Sequence, residues 1–86
     1  MLNKTTTPPR RSCSKELLTQ MRELGVKTSG SDTDMENILK RNNFGLPSKE
    51  DEYFGFTLNG KYQYRFFCRA DALAELIILL KKLKLL

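Results

Sequence analysis

Residues 53–68 read YFGFTLNGKYQYRFFC, and they contain the strongest structural signal in this chain of 86 residues. Two aromatic-rich runs, 53–58 and 61–68, flank Asn59-Gly60. Asn-Gly is a strong hairpin signal because a type I′ turn needs a positive φ at both central residues. The sequence therefore predicts an antiparallel β-hairpin with a two-residue turn.

A two-residue turn also sets which residues face each other across the hairpin. The predicted pairs are Leu58–Lys61, Thr57–Tyr62, Phe56–Gln63, Gly55–Tyr64, Phe54–Arg65 and Tyr53–Phe66. One face then combines phenylalanines with cations, the residue types that stack on bases and contact phosphates in nucleic-acid-binding sheets. The alternative is that the phenylalanines belong to the core and the cationic side chains extend into solvent at the rim.

Helical patterns precede the hairpin. Ser14 can cap a first helix, which carries an apolar stripe and ends at Gly25, a residue type common just beyond helix C-termini. A second helix is predicted to begin near Asp32 or Thr33, where Thr33 and Glu36 fit a capping box. We therefore expect two short N-terminal helices.

A third helix is predicted after the hairpin, over residues 70–84, where apolar residues recur at helical spacing. Residues 48–52 are expected to form an acidic loop. The order helix, helix, hairpin, helix predicts an α+β fold with helices on one face of a small antiparallel sheet. Residues 13–86 form a single domain in this prediction, preceded by a flexible basic arm over residues 1–12.

Charge is unevenly distributed along the chain, whose net charge is +5. Residues 1–15 hold four cations and no acid, and residues 53–69 hold three cations and no acid. Residues 31–52 hold six acids against three cations. The positive segments favour an anionic partner, of which nucleic acid is the first candidate.

Few residues in this sequence suit catalysis. Histidine is absent, which removes the Ser-His and Cys-His dyads, the common imidazole base and most zinc sites. The carboxylates at 32–36 and 50–52 lack the spacing of a calcium loop, and no glycine-rich phosphate-binding motif is present. We expect a non-enzymatic protein with no metal and no cofactor.

Cys13 and Cys68 are the two cysteines. A disulfide scaffold normally has more, and no charged-then-apolar leader with a cleavage site opens the chain. The sequence therefore predicts free thiols and an intracellular, cytoplasmic protein. The last apolar run breaks at Lys81, short of the roughly 20 residues of a membrane span, so we expect no membrane span.

Residues 14–40 carry a further pattern, centred on Leu24-Gly25-Val26 and Ser29-Gly30. The apolar positions on either side are Leu17, Leu18, Met21, Met35 and Leu39. This segment resembles the SAP motif, a short helix-loop-helix DNA-binding element. The family usually has a basic residue two positions after the Ser-Gly turn, whereas this chain has Asp32, with further acids at positions 34 and 36. The resemblance thus implies a shared scaffold more than shared DNA contacts.

We expect a small regulatory protein that binds nucleic acid, with DNA as the first candidate. The basic arm and the cationic side of the hairpin would contact phosphates and stack on bases. The candidate contact residues are Arg10, Arg11, Lys61, Tyr62, Tyr64, Arg65 and Arg69.

The third predicted helix is apolar on more than one face, so we expect part of its surface to join two copies of the nucleic-acid-binding protein in a homodimer. The candidate interface residues are Leu73, Leu76, Ile77, Leu79, Leu80 and Leu83. The alternative function is a protein-interaction module, an adaptor or an inhibitor of a larger protein, that uses this helix or the acidic region of residues 32–52.

Overall fold

The computed structural model describes residues 12–58, 61–62 and 66–86, and at Glu50, Lys61 and Tyr62 the description covers the backbone alone. In chain order the elements are α1 (Lys15–Glu23), α2 (Asp32–Arg41), β1 (Ser48–Glu50), β2 (Tyr53–Gly55), β3 (Thr57–Leu58), β4 (Lys61–Tyr62) and α3 (Arg69–Lys82). This order confirms the predicted α+β fold, in which two helices, an antiparallel hairpin and a third helix follow one another.

Helix α1 begins and ends where predicted. The backbone N–H of Leu17 donates to the Ser14 hydroxyl at 3.3 Å, so Ser14 is the N-cap. At the other end Gly25 has a φ of 85°, and the N–H of Val26 donates to the Met21 carbonyl at 2.9 Å. This is the closing bond of a Schellman motif, and it brings Val26 into the same core as Met21.

Helix α2 begins at Asp32 as predicted, but a different residue caps it. The N–H of Asp34 donates to the Ser31 hydroxyl at 3.2 Å, so the predicted capping box of Thr33 and Glu36 is wrong. Ser31 has the extended backbone that an N-cap needs, whereas Thr33 already lies inside the helix. The side chain of Glu36 extends to α3 instead of returning to the start of its own helix.

Part of the predicted acidic loop is a strand. β1 pairs antiparallel with β2, with Lys49 opposite Phe54, so the loop prediction is wrong for Ser48–Glu50. Asp51, at φ 54°, lies in the turn between the two strands. The run Ser-Lys-Glu has low β propensity, and it becomes a strand because the edge of β2 offers unpaired backbone groups.

The predicted hairpin register holds for β3 and β4 and changes further along the strands, while the predicted turn at 59–60 and the predicted partners Gln63 and Tyr64 lie outside the described residues. The pairs Thr57–Tyr62 and Leu58–Lys61 are present as predicted. Phe54, however, pairs with Phe66, so the predicted pairs Phe54–Arg65 and Tyr53–Phe66 are wrong. Between the Thr57–Tyr62 and Phe54–Phe66 pairs the chain has two residues on one side, 55–56, and three on the other, 63–65, so the register on the two sides differs by one residue. The shift places the Phe66 ring 6.5 Å from that of Phe56, and burial of this aromatic pair favours it over regular pairing.

Helix α3 lies at the centre of the core, where it contacts α1, α2 and β2. It begins at Arg69, one residue before the predicted start. The largest fully buried side chains come from all three helices, namely Met21, Met35, Leu39, Leu73, Ile77, Ile78 and Leu80. Because neighbours cover α3 on more than one side, the helix is apolar around much of its circumference.

Candidate nucleic-acid interface

The predicted nucleic-acid contacts are only partly within the described residues. Those outside are Arg10, Arg11, Tyr64 and Arg65. Lys61 and Tyr62 are placed through their backbone on β4, which pairs with β3. Of the candidate contact residues, Arg69 is the one whose side chain lies within the described part of the chain.

Arg69 is held by two acids of α2. Its Nη2 atom contacts Oε1 of Glu36, and its Nη1 atom lies 3.8 Å from Oδ2 of Asp32. The Nζ atom of Lys40 lies 2.8 Å from the other Glu36 oxygen. The hydrogen bonds from Lys40 and Arg69 hold the pKa of Glu36 below its usual value. A phosphate approaching Arg69 must compete with these carboxylates, so Arg69 is less suited to a phosphate contact than an unpaired cation.

The phenylalanines of the first hairpin strand have structural roles. Phe56 is 5% exposed and belongs to the core, where Phe66 packs parallel to it with an interplanar angle of 16°. Phe54 is half-buried, and the ammonium of Lys49 lies 5.9 Å from its ring centroid. Phe56 therefore fits the core interpretation of this face, and its ring does not face a nucleic acid.

Acids near the helix N-termini are engaged within the domain. The carboxylate of Asp34 accepts hydrogen bonds from the Thr28 hydroxyl at 2.5 Å and from the Ser29 N–H at 3.0 Å. These bonds lower the pKa of Asp34, the Thr28 bond most strongly. The carboxylate of Asp71 accepts from the Ser14 N–H at 2.9 Å. These acids organise the loop before α2 and the packing of α1 on α3.

The N-terminal ends of the three helices lie together. Ser12, which the prediction assigned to the arm, forms an antiparallel bridge with Ser31, so it belongs to the domain and joins the start of α1 to the start of α2. The hydrogen bond from the Ser14 N–H to the Asp71 carboxylate joins the start of α1 to α3, and the Arg69–Asp32 contact joins α3 to α2. The arm therefore meets the domain where three helix dipoles place partial positive charge, offset by the acids of the first turns.

The net charge is concentrated in the arm and the hairpin. The cations in question are Lys4, Arg10, Arg11, Lys61 and Arg65. They account for the whole net charge of +5, because the remaining Lys and Arg residues equal the Asp and Glu residues in number. An anionic partner is therefore attracted to these two segments more than to the rest of the chain.

Most of the predicted interface residues on α3 lie inside the single chain. Leu73, Leu76, Ile77 and Leu80 are at most 5% exposed, and they contact the chain's own core. Leu79 is half-buried, and Leu83 is 47% exposed. Sequence periodicity could not separate these groups, because a central helix and a dimerising helix are both apolar on several faces. Of the six candidates, Leu83 alone has an exposed side chain, and it lies just after the last residue of α3.

Sequence reasoning missed the exposure of Phe67. This side chain is 73% exposed, and its ring centroid lies 4.9 Å from that of Tyr53. Adjacent residues in an extended segment point to opposite faces. Since Phe66 packs inward, Phe67 points outward, and the Phe-Phe pair at the end of a predicted strand was the signal that could have indicated this.

Comparison with protein-family models, with curated proteins and with solved structures found no match. Within the described residues, no helix is both long enough and apolar enough to cross a membrane.

Proposed function

We propose that the protein is a small, non-enzymatic regulatory protein that binds nucleic acid, with DNA as the first candidate. Arg10, Arg11, Lys61 and Arg65 would contact phosphates, and Tyr62 and Tyr64 would stack on bases. The observation that carries this proposal is the concentration of the whole net charge of +5 in the arm and the hairpin.

The engaged acids support this proposal. The sequence suggests that Asp32, Asp34 and Glu36 repel phosphate, but each of these carboxylates contacts a donor or a cation within the domain. A carboxylate that is paired in this way exerts a weaker field on an approaching anion than an unpaired one does. Arg69 has a minor role in the proposal, because its charge is balanced by the acids of α2.

The test is a fluorescence-anisotropy titration of labelled duplex DNA, single-stranded DNA and RNA over a series of salt concentrations. We expect binding at low salt. As the salt concentration rises, the logarithm of the binding constant should fall linearly with the logarithm of the salt concentration. The double variants Arg10→Ala/Arg11→Ala and Lys61→Ala/Arg65→Ala should each reduce the steepness of that plot by up to about 1.8 for duplex DNA.

The matched control is Lys81→Ala/Lys82→Ala, which removes the same charge from the C-terminal end of α3. We expect it to leave the salt dependence close to that of the wild type. Absence of binding to all three probes at low salt would overturn the proposed function. Binding that the control weakens as much as the two test variants would show that the contacts are assigned to the wrong segments.

The second candidate is a protein-interaction module, an adaptor or an inhibitor of a larger protein. It is favoured by the exposure of Leu83 and Leu85 at the end of α3, which are 47% and 54% exposed. Co-purification with a stoichiometric protein partner that Leu83→Ala/Leu85→Ala weakens would support this candidate, and a clean monomer with no bound protein would count against it. The homodimer that accompanies the nucleic-acid proposal is tested separately, because it should dissociate on dilution in light-scattering measurements.

A further inference from the structure

The C-terminal end of α3 exposes apolar and cationic side chains together. Leu83 and Leu85 are 47% and 54% exposed, and the side chains of Lys82 and Lys84 beside them are also exposed. We refer to residues 81–85 as the lysine–leucine tip. It is the part of α3 whose apolar side chains are left largely outside the core.

The backbone of α3 fixes the shape of this tip. The N–H of Leu85 donates to the Leu80 carbonyl at 2.9 Å, and that of Lys84 donates to the Lys81 carbonyl at 3.0 Å, so the helix ends in a Schellman motif. In this motif the residue at the Leu85 position frequently packs on the residue at the Leu80 position, yet Leu85 is mostly exposed. Lys84 has a φ of 60°, at a position where glycine is usual. The cap therefore directs a leucine into solvent and keeps a lysine in a strained conformation.

Charge is separated along α3. At its start, Arg69 contacts the acids Asp32 and Glu36 of α2. Residues 76–86, by contrast, contain no acid. A helix of 14 residues is about 21 Å long, so the lysines at its end lie roughly that far from these acids.

Helix α2 ends on the same side of the domain as α3. It begins beside the start of α3, where it contacts Arg69, and Phe44, just after its end, lines the same pocket as Leu80. Residues 37–49 contain no acid, and Arg41 at the end of α2 is exposed. Two acid-free segments therefore meet where the leucines are exposed.

We infer that the lysine–leucine tip binds the surface of an anionic lipid bilayer. The charges are complementary, because anionic headgroups attract clustered lysines. The leucines add a second attraction by entering the boundary between headgroups and acyl chains. Lysine is depleted in protein–protein interfaces and leucine is rarely a hot-spot residue, so the composition of the tip favours a lipid surface over a protein partner. The inference does not depend on nucleic-acid binding by the arm and the hairpin.

A tryptophan introduced into the full chain tests this contact, because the sequence contains none. The emission of Leu85→Trp should shift to shorter wavelength with vesicles of equal parts phosphatidylserine and phosphatidylcholine, since tryptophan is favoured at bilayer interfaces. Phosphatidylcholine alone should give little shift, because it lacks net negative charge. The matched reporter is Phe67→Trp, which replaces an exposed ring just before the start of α3 and should not shift.

Vesicle co-sedimentation measures the contribution of the lysines. Lys81→Ala/Lys82→Ala should weaken binding to the anionic vesicles by up to about thirtyfold. Lys15→Ala/Lys27→Ala removes the same charge from exposed positions near the starts of α1 and α2, and it should bind like the wild type. Lys84→Gly should weaken binding by about fivefold without lowering the thermal midpoint of unfolding, because glycine adopts a φ of 60° without strain. This variant separates the loss of binding from a loss of folding.

Three results would contradict the inference. An unchanged Leu85→Trp spectrum with anionic vesicles at low salt would overturn it. Equal shifts of the Leu85→Trp and Phe67→Trp reporters would also overturn it, because they would show attraction without contact at the tip. A Leu85→Trp shift that appears on raising the protein concentration, with no further change when vesicles are added, would show that the leucines contact protein instead.

Discussion

The guanidinium of Arg69, at the first position of α3, contacts the carboxylate of Glu36 in the second turn of α2, 33 positions earlier in the chain. Lys40 binds the other oxygen of the same carboxylate at 2.8 Å. Among the described residues, no side chain caps the start of α3, and this contact and the Asp71–Ser14 bond are two of the contacts that join that end to the other helices. One acid of α2 thus positions the beginning of the central helix.

We expect Glu36→Gln and Arg69→Gln each to lower the thermal midpoint of unfolding, because each removes one partner of a shared contact. The double variant should lose less than the two single losses added together, since the second substitution removes an interaction that is already broken. Glu23→Gln, at an exposed position of α1, serves as the control and should change the midpoint little. Strictly additive losses would show that Arg69 and Glu36 do not interact in solution.

Stability should fall as the medium becomes acidic. The folded state holds the pKa values of Asp34 and Glu36 below their usual range, so the unfolded chain binds protons more readily than the folded chain does. The stabilisation is therefore complete above the unfolded pKa values and is lost as the pH falls below about 4. Urea unfolding at a series of pH values measures this, and Asp34→Asn/Glu36→Gln should flatten the profile. An equally steep profile in that variant would contradict the assignment.

Gly25 and Gly30 offer a matched pair of substitutions, because their φ angles are 85° and 86°. An alanine at either position costs about 1 kcal/mol for the left-handed backbone. At Gly25 the added methyl group meets nothing within 4 Å, whereas at Gly30 it lies 3.2 Å from both Cys13 Sγ and Leu18 Cδ1. We expect Gly30→Ala to reduce the free energy of unfolding by at least about 1 kcal/mol more than Gly25→Ala. Equal losses in chemical denaturation would show that the Gly30 contacts relax freely.

A buried residue in the middle of α3 and an exposed residue just after its last turn should respond differently to truncation to alanine. Ile77 is fully buried, and Ile77→Ala should lower the free energy of unfolding by about 2–5 kcal/mol through lost contacts and a cavity. Leu83 is 47% exposed, and Leu83→Ala should change the free energy of unfolding by less than about 0.5 kcal/mol. Denaturation at two protein concentrations measures both values. A large, concentration-dependent loss for Leu83→Ala would show that this residue is buried between two copies.

Local signals in the sequence were sufficient for the order of the elements, the caps of α1 and the hairpin register beside its turn. Ser14 and Gly25 act through bonds and backbone preferences within a few residues, so they have the same consequence in almost any fold. The helical spacing of the residues in α3 likewise depends on neighbours one turn away.

Contacts between distant residues were required for the rest. The strand at Ser48–Glu50 forms because β2 lies beside it, and the register shift at Phe54 follows from packing Phe66 against Phe56. The pairing of Arg69 with Glu36 and the outward position of Phe67 also depend on which surfaces meet once the helices have packed. Charge and apolarity can be read along a chain, but their neutralisation or burial depends on partners that are remote in sequence.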